Sequence, residues 1–211
     1  LQGFFAISLF GMPSSVAAED YSISISACPR CHWISVYGPP LGTVLTLTID
    51  DPSNGTGTDY TRTATIVVAP PPHDNAECAT FNLSDIELLS GFIVTVTTEA
   101  VSKTIIISSM AVTGVNLTTD TVSGIATPGA QVAVFVWMDS TTPPIYRYPV
   151  ADTVTGAWTA DYSVPGIPPD DPDAVDLVPG NGGGAYEENA NRDNTWVDWA
   201  WDSGPQIEVS I

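Results

Sequence analysis

The residues best able to do chemistry lie together at 27–33, ACPRCHW. Cys28, Cys31 and His32 have the C-x-x-C-H spacing of a covalent haem site. Thioether bonds from the two cysteines would leave His32 as an axial ligand, with a methionine or His73 on the other side of the iron. With Cys78 added, the set Cys28, Cys31, Cys78 and either His32 or His73 has enough donors for a zinc ion. The third chemistry is oxidation, because three cysteines in an oxidising compartment would form one disulfide and leave one thiol over. Which pair closes is open. A bridge from Cys78 to Cys28 or Cys31 would close a loop of roughly 50 residues and stabilise the fold by about 3–4 kcal/mol, and a tight Cys28–Cys31 ring competes with it. The unpaired thiol would then be free to crosslink subunits.

The setting decides among these. The motif joins two strand-like runs, YSISISA and WISVYG, occurs once and has no helix beside it. A structural disulfide drawn from Cys28, Cys31 and Cys78 is therefore expected: a joint between two strands leaves no haem-sized cavity, and an oxidising compartment disfavours the thiols that zinc would need.

Two other groups carry ligand or stacking chemistry. In EENANRD, the oxygens of Glu187, Asn189, Asn191 and Asp193 alternate as in the opening half of a calcium loop. The second half is absent, since the twelfth position is Ala200 rather than a glutamate, so calcium would be held weakly and a solvated polar hairpin is the competing expectation. The run DDPDAVD, broken by Pro172, is expected to be a solvated loop. In TWVDWAW, Trp199 and Trp201 share one strand face with Val197, and Trp196 shares the other with Asp198. One face must be buried; Trp196 beside Asp198 is the residue placed to stack on a sugar. Trp137 and Trp158 are expected in the core.

Composition narrows the classes. The chain has 211 residues, 44% hydrophobic and 14% charged, which is a globular balance with enough apolar surface for real cores. With 24 acidic residues against 5 basic ones and a formal net charge of −19, the chain would be repelled by nucleic acid and anionic lipid. Only two histidines are present, so a Ser-His-Asp site or a multi-histidine metal centre is hard to assemble.

The elements that must position these residues are strands. Alternating or β-branched runs recur, as in TVLTLTID, TATIVVA, FIVTVTTE, KTIIISS and QVAVFVWM, and Gly and Pro fall mostly between them. The sequence also repeats. ELLSG at Glu87 returns as DLVPG at Asp176, and GTVLTLTI at Gly42 returns as GAQVAVFV at Gly129. A period of about 88 residues holds some seven short strands, the size of an immunoglobulin-like sandwich. The hairpin after each anchor corresponds as well: VTVTTE and KTIIISS match GGAYEE and TWVDWAW. The fold expected is all-β, two tandem immunoglobulin-like β-sandwich modules at 21–109 and 110–206, preceded by a short apolar N-terminal segment at 1–20.

DTVSGIATPGAQVAV with TGAWTADYSVPG, and GTVLTLTIDDP with SGFIVTVTTEAVSKT, resemble the tandem Ig-like modules of large secreted bacterial surface proteins. The resemblance covers roughly residues 30–205. It implies spacer, adhesive or structural roles outside the cell, without catalysis. Such modules often carry an aspartate-rich turn, D-x-D-G-D, in the last hairpin; the matching positions here are Asn189, Asn191 and Asp193, with Arg192 where glycine is expected.

The ends offer strand exchange. Phe4, Phe5, Ile7 and Leu9 lie in an apolar run followed by Ala17 and Ala18, the pattern of a secretory h-region and cleavage site, or of an apolar strand. Ile207, Val209 and Ile211 read as the opening strand of a further module, or as a strand donated to a neighbour's open edge. The sequence thus points to a secreted or cell-surface structural and adhesive protein that needs no cofactor. Calcium is the ion its polar hairpin would take. Its partners would be copies of itself, neighbouring modules or surface glycans, with neither nucleic acid nor membrane insertion. A carbohydrate-binding module and an extracellular haem electron carrier are the alternatives.

Overall fold

The computed structural model describes residues 21–55, 57–69, 76–138 and 142–200. Every regular element in them is a strand. In the first half, β1 (Ser24–Cys28), β2 (Trp33–Tyr37), β5 (Val67–Val68) and β6 (Glu77–Asn82) lie in the order β1-β2-β6-β5. They face a sheet of β4 (Tyr60–Thr65), β3 (Val44–Asp50), β7 (Ile93–Thr97) and β8 (Ser102–Ile106), in that order. In the second half, β9 (Ala111–Asn116), β10 (Thr121–Ile125) and β13 (Ala157–Asp161) make one layer. The other is β12 (Ile145–Arg147), β11 (Val132–Trp137), β14 (Gly182–Glu188) and β15 (Asn194–Ala200), in the order β12-β11-β14-β15. Both halves therefore have the two-sheet strand order of an immunoglobulin-like sandwich.

Alternation builds the cores. In β1 and just before it, Ile23, Ile25 and Ala27 point inward at 2% exposure or less, and in β3 Leu45, Leu47 and Ile49 do the same. Each such Leu or Ile contributes about 1.5–3 kcal/mol by leaving water. One apolar cluster runs from Ile23 to Ile107 and a second from Met110 to Trp199. The residues between β8 and β9 are not a loose tether, since Ile107 belongs to the first core and Met110 to the second.

The sequence repeat has a backbone cause. Gly42 and Gly129 precede β3 and β11 with φ of 85° and 80°, and Gly91 and Gly180 precede β7 and β14 with φ of 90° and 98°. Each pair makes the same left-handed turn into the equivalent strand, a conformation that other L-residues rarely adopt.

The halves differ from a string of independent beads in one respect. Strand β15 of the second module pairs in parallel with β1 of the first, Ser26 opposite Asn194 and Ala27 opposite Thr195. The result is one eight-stranded sheet, β12-β11-β14-β15-β1-β2-β6-β5, running through both modules.

Three strand glycines in the second module lie opposite aromatic residues: Gly124 opposite Trp158, Gly183 opposite Trp199 and Gly184 opposite Phe135. A strand glycine has no side chain to pack, and a ring from the neighbouring strand fills that space. A Cβ on Gly124 would overlap the Trp158 ring, and one on Gly183 would come within 2.6 Å of the Trp199 ring. Gly124→Val should therefore lower unfolding free energy by about 2–3 kcal/mol in urea denaturation. Gly114→Ala, where a Cβ would have nothing within 4 Å, should change it by less than about 0.5 kcal/mol.

Candidate functional site

The CPRC loop turns between β1 and β2. Cys28 and Cys31 are joined as a disulfide, with Cα atoms 5.1 Å apart. The Cys31 amide donates to Cys28 Sγ at 3.3 Å, and His32, at φ 55°, closes the turn by donating to the Pro29 carbonyl. The short ring is the pair formed, and Cys78 is free, 1% exposed in β6. Of the pairings left open by the sequence, the bridge from Cys78 is not the one formed: Cys78 lies opposite Tyr37 on the far side of β2, out of line with the turn. A four-residue ring stabilises by about 2 kcal/mol, less than the longer loop would have. The crosslinking role for the spare thiol is corrected by its burial. The haem and zinc sets need the sulfurs that the disulfide joins, and His32 stands exposed beside it. His73 lies outside the described residues.

Asp198, on β15, brings a carboxylate oxygen to 3.0 Å from Cys31 Sγ. The ligand atoms of Cys28, Cys31 and Asp198 all fall within 4.8 Å of one another. Desolvation pushes the Asp198 carboxyl above its ordinary value. With both sulfurs in the disulfide, this cluster offers a cation one carboxylate.

The polar hairpin between β14 and β15 is the junction itself. Asp193 is 3% exposed at its side chain and pairs with Lys103 of β8 at 2.7 Å. The same oxygen accepts the Ile25 amide at 2.9 Å, and the other accepts the Asn189 side-chain amide at 3.1 Å. The Lys103 ammonium also donates to the carbonyls of Ile23 and of Asn191, the latter at 3.3 Å, so all its donors are used. Ser24 donates to the Arg192 carbonyl and Ser26 to Asn194, both at 2.7 Å. Oxygens expected to hold calcium are engaged within the chain. Glu187 accepts from the amide and hydroxyl of Thr127, Asn189 caps the turn by accepting the amides of Asn191 and Asp193, and the cation that meets Asp193 is Lys103. Arg192 has φ 63°, so it takes the left-handed position where the resemblance expects glycine.

The outer face of the shared sheet is aromatic. Trp196 meets Trp33 of β2 edge-on across the seam, with centroids 5.4 Å apart. Phe135, 5% exposed, is ringed by Trp137, Tyr146 and Trp196, at centroid distances of 4.8, 5.4 and 6.1 Å. Tyr146 stacks on Tyr148 at 5.9 Å. Trp158 is buried as expected and Trp199 is buried as well, whereas Trp137 is 40% exposed. Its core assignment is corrected because Val132, Val134 and Val136 take the inner side of β11 and leave Trp137 on the outer side with Phe135. Trp196 is half-buried among rings tilted against it and presents no flat shared platform with them.

The acidic run is structural as well. The carboxylates of Asp171 and Asp170 accept the amides of Tyr146 and Tyr148 at 2.8 and 2.7 Å, giving β12 a partner along its edge. Arg147, 2% exposed, spends all five N–H groups on the carbonyls of Tyr146, Asp161, Val164, Asp171 and Asp173. The only signal for Arg147 and Lys103 was scarcity, few basic residues among many acidic ones. The exchange candidates Phe4, Phe5, Ile7, Leu9, Ile207, Val209 and Ile211 lie outside the described residues.

Removing Lys103 strands a buried carboxylate. Lys103→Met should cost about 3–5 kcal/mol in equilibrium unfolding. Arg62→Ala, which breaks the exposed pair with Asp85, should cost less than about 1 kcal/mol.

No family model and no curated protein matches the chain. Among solved structures, it is similar to a tetra-tandem repeat in the extending region of a large adhesion protein, at 13% identity and a TM-score of 0.28, covering 85% of this chain and 48% of that one. It is also similar to the FN1–FN3 domains of chicken CNTN1, at 9% identity and a TM-score of 0.26, covering 88% of this chain and 64% of that one. The chain spans about half and about two thirds of these two structures. At such scores neither lends it a function.

Proposed function

We propose that this chain is a non-catalytic structural unit of a secreted or cell-surface adhesive protein, in which two Ig-like modules act as one stiff spacer. The observation that carries the reading is the junction. A flexible array needs exposed linker, whereas here the connection is drawn into both cores, a strand pair crosses it, and a buried ion pair locks it. A spacer that holds a binding surface away from a cell gains reach from stiffness.

Other features fit the same use. A disulfide at an exposed turn persists in an oxidising compartment. The acidic surface keeps neighbouring rods from clumping and repels polyanions. Among the described residues no helix is long and apolar enough to cross a membrane. The partners suited to this unit are further modules or copies of the chain, meeting end to end or along the free edges of the sheets.

Residual dipolar couplings measured on the full chain test the stiffness. One alignment tensor should describe both modules. Two tensors of different magnitude would show modules that reorient independently and would remove the basis of the spacer.

A further inference from the structure

The outer face of the shared sheet holds a hollow of about 290 Å³ whose shape and charge point to a ligand class. Five rings line it: Phe135, Trp137, Tyr146, Tyr186 and Trp196. Phe135 forms the floor, roofing Gly184, and the planes of Trp137, Trp196 and Tyr146 are inclined to it by 70°, 49° and 44°. Rings tilted around a central ring make a cup, not the flat strip on which a sugar chain would lie.

The charges flanking the cup are negative. Among the described residues, none that line it carries a charge of either sign. The nearest cation along the chain, Arg147, is on the opposite side of β12 from Tyr146, buried and held by carbonyls over the Tyr162 ring at 5.0 Å. Carboxylates flank the tyrosines, with Asp171 and Asp170 bonded to the amides of Tyr146 and Tyr148. Burial first, and then the neighbouring phenols and the charge of Glu188, push the Tyr186 hydroxyl up to about 12. Ring faces and fixed negative charge both attract a cation. A primary ammonium would be costly to dehydrate in such a place, whereas an alkylated one has apolar surface that fits it.

We infer that this hollow is an aromatic cage for a small quaternary ammonium group of the choline type. Ser26 and Asn194 of the β1–β15 seam also line the hollow, so the site rests on that pairing, while its test reads ligand binding and can fail without the spacer reading failing.

The test uses the full chain and follows the indole N–H signals of Trp137 and Trp196 by NMR during titration with choline. In parallel runs, 3,3-dimethylbutan-1-ol serves as its uncharged isostere, cellotetraose as a neutral glycan and phosphocholine as the anionic-headgroup form. Choline should shift both signals saturably in the millimolar range, and the uncharged isostere should bind at least about tenfold more weakly. Trp137→Ala, a half-exposed position whose loss leaves both cores intact, should weaken choline by about fivefold or more without changing the thermal melt. Phosphocholine binding more weakly than choline assigns the free cation as the source, and binding more tightly assigns a headgroup; the cage stands in both cases. The inference is overturned by the absence of saturable shifts, by equal binding of the uncharged isostere, or by cellotetraose shifting the indoles where choline does not.

Discussion

A carboxylate taken out of water must meet a positive charge, and at Asp193 that charge comes from Lys103 in the other module. The rest of the architecture hangs on this pairing. The turn from Asn189 to Asp193 is shaped by Asn189 so that Asp193 points at the junction, and Asp193 in turn accepts the Ile25 amide. That bond sets the first module's opening strand against β15. Once β1 and β15 pair, two four-stranded layers become a single sheet, and the serines of β1 hydrogen-bond along the seam. A hinge at this joint would have to expose the carboxylate or leave it unpaired, and both cost several kcal/mol.

The second module shows how the two faces of one sheet can both be packed. Its β14 contains three consecutive glycines at 182–184. Gly183 faces the core and takes the Trp199 ring, while Gly184 faces outward and takes Phe135. Large rings from the flanking strands thus lie across a thin central strand on both sides. The outward set continues over the seam through Trp196 to Trp33, so the aromatic surface belongs to the pair of modules and not to either alone.

Local features were legible in the sequence and long-range ones were not. Alternation in SISIS and VLTLTID, and the glycines at 42, 91, 129 and 180 that open equivalent strands, disclosed the strands and the repeat because these depend on neighbouring residues and on backbone φ. The face-sharing rule put Trp199 and Trp196 on opposite faces without naming the inner one, and the expectation of a core Trp137 failed because the valines of the same strand outcompete it for the core. EENANRD looked like half a cation loop. Its carboxylate does meet a cation, but one supplied by the chain's single lysine, 90 residues away in sequence and invisible to any local pattern. The cysteine motif likewise fixed the chemistry to oxidation without naming the pair, since Cys78 is excluded by its place across β2 and not by spacing.

The claim that the two modules form a single body is tested most directly by calorimetry of the full chain. A welded pair should unfold in one transition whose calorimetric and van't Hoff enthalpies agree. Two resolved transitions, each with the enthalpy of a single module, would contradict it.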